Sequence, residues 1–342
     1  MKYPLLVSNP ANIFYLTGVH IEARDAWVLV TEKEVHFFTD ARYSDILSSL
    51  EPPIIPHEIS SANPLSTHIQ KILSASKSEQ LYFEADNITV FELKSLKKKL
   101  TYALKPTVGL VASLRELKKE KEINAVKKAC SVIDACLFNI SKLVRPGLTE
   151  YEIAFKLDSW LREKGHTSAF APIVAVDEHA AIPHFNTQHN GKKKIAKNCI
   201  ILIDAGANVD GYCSDITRMF VVGKASNTFM KCYDDLLAAQ EMTIKILGTS
   251  KKYSEVDLFC RHELEKASIA PYAHATGHGI GIEVHEKPYV SFNSPDIIKP
   301  GHIVTIEPGT YIKGKFGIRI EDTVLIGKNN APRIMTKFSK AL

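Results

Sequence analysis

Four carboxylates interrupt otherwise apolar, strand-like stretches of this chain. The run IILIDAGANVDGYCSDITRMFVV, residues 200–222, carries Asp204 and Asp215. The run IVTIEPGTYIKGKFGIRIEDTVLI, residues 303–326, carries Glu307 and Glu321. Between them lies HATGHGIGIEVHE, residues 274–286, with His274, His278 and His285. A carboxylate is costly to bury unless a counter-charge satisfies it. For four of them the simplest counter-charge is a pair of divalent cations. A ligand set rich in oxygen and poor in nitrogen suits Mn²⁺ and tolerates Co²⁺, Zn²⁺ or Fe²⁺. Two such ions a few ångströms apart would lower the pKa of a shared water and supply a nucleophile near neutral pH. The chemistry these residues point to is metal-assisted hydrolysis.

The elements that must present them are hairpins. Strand side chains alternate faces with period two, and Asp210-Gly211 is a favoured two-residue turn. Pairing about that turn sets Asp204 opposite Thr217, with Asp215 diagonal to Asp204 on the same face. A three-residue turn at Lys313-Gly314-Lys315 sets Glu307 opposite Glu321. A bulge near Pro308 or Gly317 would shift that register. His274 and His278 have the helical metal-ligand spacing, yet Gly277, Gly279 and Gly281 argue against a helix there. A lone histidine is more often structural than a ligand. Three within one short segment beside four intrusive carboxylates favour a site.

The remaining elements suggest two domains, as the 342-residue length does. Residues 1–110 read as a small α/β unit. Residues 26–40 form two strand-like runs around a polar turn, and 64–77 and 87–100 carry helical patterning. From Ser113 the spacing predicts one long helix capped by Ser113 and Glu116 and ended by Arg145-Pro146-Gly147. Thr149 and Glu152 cap a second helix running to about Lys164. Helix-like stretches recur at 226–247 and at 254–268, the latter with Ser254 and Asp257 at its start. Two helices followed by an acidic hairpin thus occur twice, and residues 113–342 read as a pseudo-duplicated catalytic domain.

Composition excludes several classes. Apolar residues make up 45% and charged residues 24%, which is ordinary for a globular chain. No apolar run reaches the roughly 18–20 residues of a membrane span. The N-terminal stretch lacks a signal-peptide pattern, so a cytoplasmic location is expected. The six cysteines show no CxxC spacing and read as buried free thiols. The net charge of +5 is modest. The lysine runs at 97–99 and 192–194 read as a helix end and a solvated loop rather than a nucleic-acid surface.

DAGANVDGYCSDITR, HATGHGIGIEVHE, IEPGTY and GIRIEDTVLI together resemble the signature segments of the pita-bread metallopeptidases, within which the chain is most similar to the Xaa-Pro peptidases, prolidase and aminopeptidase P. IFYLTG (13–18) and TDARY (39–43) resemble the creatinase-like N-terminal domain of those enzymes, so the likeness covers essentially the whole chain. It implies an α/β (α+β) architecture in which a small creatinase-like domain precedes a pseudo-twofold pita-bread domain. It also implies two divalent metal ions. Asp204 would be a terminal ligand of one, Asp215 and Glu321 would bridge both, and His278 and Glu307 would complete the other. Glu307 would also be the general base. His274 and His285 match histidines near the substrate, with His285 expected to polarise the scissile carbonyl region. His184, in AIPHFNTQ, matches the histidine upstream of the first aspartate ligand. Arg319 and Tyr311 match residues that support the ligands.

The resemblance implies Xaa-Pro peptides as substrates and a homodimer, with no nucleic-acid or membrane partner. Dipeptidase activity is the leading expectation, and aminopeptidase P activity on longer peptides is the alternative. Methionine aminopeptidase lacks the additional N-terminal domain. Creatinase lacks the full ligand set, and so do the non-catalytic pita-bread modules.

Overall fold

Two apolar runs near the N-terminus, Ala26–Val30 and Val35–Asp40, pair as a hairpin closed by Thr31, whose hydroxyl accepts from the backbone N–H groups of Lys33 and Glu34. They lie inside a six-stranded sheet of order Ile54–Ile59, Val35–Asp40, Ala26–Val30, Leu5–Val7, Gln80–Glu84 and Ala103–Thr107. Leu5–Val7 runs parallel to Gln80–Glu84 and antiparallel to Ala26–Val30, so the sheet is mixed. Helices Leu65–Ser74 and Val90–Lys99 cover one face, burying Ile69, Leu73 and Leu96 against Leu6, Leu29 and Phe38. Leu5, Val7, Ile13 and Phe37 form the core of the other. This computed structural model describes residues 3–74, 78–270 and 272–342; the last part of the helical pattern read at 64–77 falls outside them. The chain divides into two compact units, Met1–Arg115 and Glu116–Leu342.

The second unit is built from one motif used twice. Helices Glu120–Ser141 and Glu150–Glu163 precede an antiparallel sheet in which Cys199–Ala205 lies between Ile173–Val176 and Ile216–Val222. Helices Asn227–Ile246 and Tyr253–Lys266 then precede a sheet in which Ile303–Ile306 lies between Gly277–Gly279 and Asp322–Ile326. Each half therefore supplies a helix pair, a flanking strand and a hairpin, in the same antiparallel order. Thr149 and Glu152 cap the second helix as a reciprocal box, as their spacing predicts.

Two helix starts differ from the sequence reading. The helix expected from Ser113 breaks: Ala112–Glu116 forms a short helix, and Glu120–Ser141 begins afresh. Lys118 donates its backbone N–H to Gly301 O, and Glu122 accepts from Lys119 N–H. The buried Lys118 ammonium pairs with Glu286 at 2.6 Å. Tertiary bonds outweigh the helix propensity of two lysines. The later helix starts at Tyr253, one residue before the stretch read from 254, where the Glu255 carboxylate accepts from the N–H groups of Lys251 and Lys252. Asp257, read at the start of this helix, is fully buried. The cysteines are free, and Cys232 alone among them is not fully buried. No helix among the described residues is long and apolar enough to cross a membrane.

Candidate metal centre

The first hairpin has the symmetric register its turn dictates. Val209 pairs with Tyr212 across Asp210-Gly211, whose φ angles of 52° and 83° suit a tight hairpin turn. The same register sets Thr217 opposite Asp204. In the second hairpin Ile306 pairs with Asp322, and Gly309 pairs with Arg319. Register is unbroken across the gap, so Glu307 faces Glu321 with no bulge at Pro308 or Gly317. The histidine segment is a strand, Gly277–Gly279, not a helix. Its close approach to the second hairpin requires Gly277, where a Cβ would sit 1.9 Å from Thr305 O. That contact aims His278 at the carboxylates.

Three of the candidate ligands form one group, Glu307 joins it through His278, and Asp204 is held from outside by Arg319. Asp215, His278 and Glu321 each offer a ligand atom, the three lying within 4.8 Å of one another. His278 Nε2 is 3.2 Å from Glu307 Oε1 and 3.7 Å from Asp215 Oδ2. Glu321 accepts from the Thr217 hydroxyl at 2.7 Å, and Glu307 accepts from Thr305 at 3.2 Å. Asp204 accepts from Arg319 Nη2 at 2.5 Å. Asp204, Asp215, His278 and Glu321 are each buried.

Their electrostatics are those of a cation site. Burial, then the charges of Glu321, Asp204 and Glu307, hold the Asp215 carboxyl well above its ordinary range. Burial and neighbouring carboxylates do the same to Glu321, and burial raises Asp204 despite Arg319. At Glu307 burial is outweighed by the His278 hydrogen bond and charge, which hold it at about 2. Asp204 Oδ1 and Asp215 Oδ1 are buried with no hydrogen-bond partner among the described residues. Unpartnered carboxylate oxygens facing further carboxylates fit divalent cations, because cations satisfy the lone pairs and reverse the repulsion.

Around this cluster stand the other predicted residues. Arg319 Nη1 donates to Tyr311 OH at 2.9 Å and to Pro183 O at 3.2 Å, and Nε donates to Thr217 Oγ1 at 3.2 Å. Tyr311 OH lies 2.9 Å from His274 Nε2. Burial lowers the His274 pKa, which favours a neutral ring accepting from Tyr311. His285 is exposed and meets His278 edge-on, with ring centroids 4.2 Å apart. His184 is exposed beside the Pro183 carbonyl that Arg319 holds.

Sequence reading passed over the groups behind the ligands. Arg218 donates to the backbone oxygens of Thr217 and Glu321, and pairs with fully buried Asp322 at 2.7 Å. Gln240 and Lys340 complete the Asp322 environment. Arg218 and Asp322 sit immediately after Thr217 and Glu321 in the acidic runs, and that adjacency was the available signal. Thr305 had none, because a threonine in a strand is ordinary.

Comparison with known proteins identifies the family and the fold. The model of Metallopeptidase family M24 matches residues 124–328, and that of the Creatinase/Prolidase N-terminal domain matches 4–117. An Xaa-Pro dipeptidase from Bacillus anthracis superposes with a TM-score of 0.90 at 32% identity, covering 99% of this chain and 94% of that one. An X-Pro aminopeptidase from Thermotoga maritima superposes with a TM-score of 0.88 at 27% identity, covering 98% and 96%. An uncharacterized peptidase from Bacillus subtilis is 30% identical over 95% of this chain and 91% of its own length. With a creatinase-type N-terminal domain ahead of a catalytic domain whose two acidic hairpins and histidine strand meet in one buried cluster, this chain belongs to metallopeptidase family M24.

Proposed function

We propose that this enzyme hydrolyses the Xaa-Pro bond of dipeptides with the help of two divalent cations, Mn²⁺ being the favoured pair. The observation that carries the reading is the set of buried carboxylates Asp204, Asp215 and Glu321 beside partly buried Glu307, with orphaned oxygens on Asp204 and Asp215. Asp204, Asp215, His278, Glu307 and Glu321 would hold the metals. Bound there, the ions supply Lewis acidity and cancel the carboxylate charge. Glu307, whose carboxyl the His278 hydrogen bond and charge hold low despite burial, takes the proton of the attacking water and returns it to the departing proline nitrogen. His274 and His285 face the substrate, with His285, exposed beside His278, polarising the scissile carbonyl region, and His184 stands near them. Arg319 and Tyr311 hold Asp204 and His274 in place. The Xaa-Pro bond is a tertiary amide without an N–H, so anchoring the free α-amine near Asp204 and the proline ring in a pocket selects it.

Dipeptidase action is supported by the likeness to the Bacillus anthracis Xaa-Pro dipeptidase. The likeness to the Thermotoga maritima X-Pro aminopeptidase supports the second reading, removal of Xaa from longer peptides. Turnover of Ala-Pro and Ala-Pro-Ala with added Mn²⁺ separates them: Ala-Pro is cleaved faster on our reading, and the reverse order selects the aminopeptidase. The enzyme is further proposed to work in the cytoplasm as a homodimer, which light scattering of the purified chain would test.

A further inference from the structure

We propose that Asp257 and Arg261 are positioning residues: a clamp on the helix Tyr253–Lys266 that fixes the His274 backbone, and so the His274 ring, for turnover. The inference rests on reading His274 as a group that faces the substrate.

The two residues are one turn apart, so both project from the same side of the helix. Arg261 Nε donates to Asp257 Oδ2 at 2.8 Å, and Nη2 to Oδ1 at 3.2 Å. The same guanidinium donates to Tyr272 O at 2.8 Å and to His274 O at 2.7 Å. It also lies over the Tyr272 ring, 4.4 Å from its centroid. Asp257 Oδ1 accepts from Thr276 N at 3.2 Å and from Thr276 Oγ1 at 2.6 Å. Residues 272, 274 and 276 are therefore each tied to the clamp. Thr276 O in turn accepts from Glu307 N at 2.8 Å.

The consequence falls on one ring. His274 stacks on Tyr272 with centroids 4.6 Å apart. Its Nδ1 lies 2.7 Å from Ala275 O, and its Nε2 lies 2.9 Å from Tyr311 OH. With the backbone fixed at 272, 274 and 276, the ring has one orientation, with Nδ1 donating and Nε2 accepting. A lone i,i+4 ion pair would not require a fully buried Asp257, which is expensive to desolvate. A fork that serves a carboxylate and two carbonyls at once explains why this pair is buried and why the cation is arginine.

The test is a double-mutant cycle on the full chain with Arg261→Gln, His274→Ala and both together, read as kcat and KM with Mn²⁺. Thermal midpoint and bound metal are measured alongside. Arg261→Gln should lose on the order of 10- to 100-fold in kcat, since a displaced group of about 1 Å costs that much. KM should change little, and Arg261→Lys should recover part of the loss. Because Arg261 acts through His274, Arg261→Gln should add no loss to His274→Ala. Multiplying losses in the double variant would overturn the clamp and leave the role of His274 standing. A fully active His274→Ala would overturn that role and the clamp with it. Should Arg261→Gln fail to fold, Arg261→Lys completes the same cycle. If Ala-Pro is not cleaved, the dipeptidase reading has failed, and the cycle is read on Ala-Pro-Ala.

Discussion

Replacing Asp215 by Asn should have opposite effects on metal-free and metal-loaded protein. Asp215 is buried, its Oδ1 has no partner among the described residues, and Glu321, Asp204 and Glu307 all push against its charge. Without metal, an uncompensated buried carboxylate costs several kcal/mol, capped by its ability to take up a proton. Removing that charge should stabilise the metal-free protein by about 1–3 kcal/mol at pH 8. For a unit of this size each kcal/mol moves the midpoint by about 2–4 °C, so a rise of roughly 2–12 °C is expected. With metal the sign inverts. A cation at a hundred times its Kd stabilises by about 2.7 kcal/mol, and the variant loses a carboxylate proposed to hold the metals. Asn is nearly isosteric with Asp, so the effect reads charge and not volume. Thermal melts with chelator and with saturating Mn²⁺, beside peptide turnover, make the assay. Turnover should fall by more than about 100-fold, as loss of a direct ligand exceeds the 10–100-fold typical of outer contacts. Near-normal turnover, or metal-free and metal-loaded midpoints that shift the same way, would refute the electrostatic account.

Two further outcomes follow from the buried charges. In metal-free protein Asp204, Asp215 and Glu321 have raised pKa values, so the native state binds protons more tightly than the unfolded chain. Their contribution is present at low pH and is lost as pH rises above the ordinary carboxylate range, so metal-free protein should melt lower at pH 8 than at pH 5.5. Glu307, held at about 2, acts in the opposite sense, but only below its ordinary value of 4.5. A metal-free midpoint that climbs between pH 5.5 and pH 8 would contradict this sign. Asp322→Ala leaves Arg218 buried beside Glu321 with its partner gone; about 3–5 kcal/mol of stability should be lost, and a denaturant titration showing under ~1 kcal/mol would count against that pair.

How the candidate site could be read in advance depends on how local its causes are. The first hairpin register follows from Asp210-Gly211, a turn encoded by two adjacent residues, and strand periodicity then carries Asp204 to Thr217. Reading Glu307 against Glu321 needed only the absence of a bulge, because a three-residue turn sets the rest. The helix broken at 117–119 was not legible. The bonds that end it lead to Gly301 and Glu286, far away in the chain, while the local residues favour continuing.

From residue types alone, the chain determined that four carboxylates and a histidine would need cations and that two hairpins would carry them. Periodicity and turn chemistry act over a few residues, and a carboxylate in an apolar run announces its own cost. Only the tertiary structure decided which donors hold those groups: Arg319 on Asp204, Arg218 on the backbone of Glu321, and Arg261 on the His274 carbonyl. An arginine in sequence shows its charge but not its target. The guanidinium ends several bonds from its backbone, and its partner is chosen by packing of segments distant in the chain.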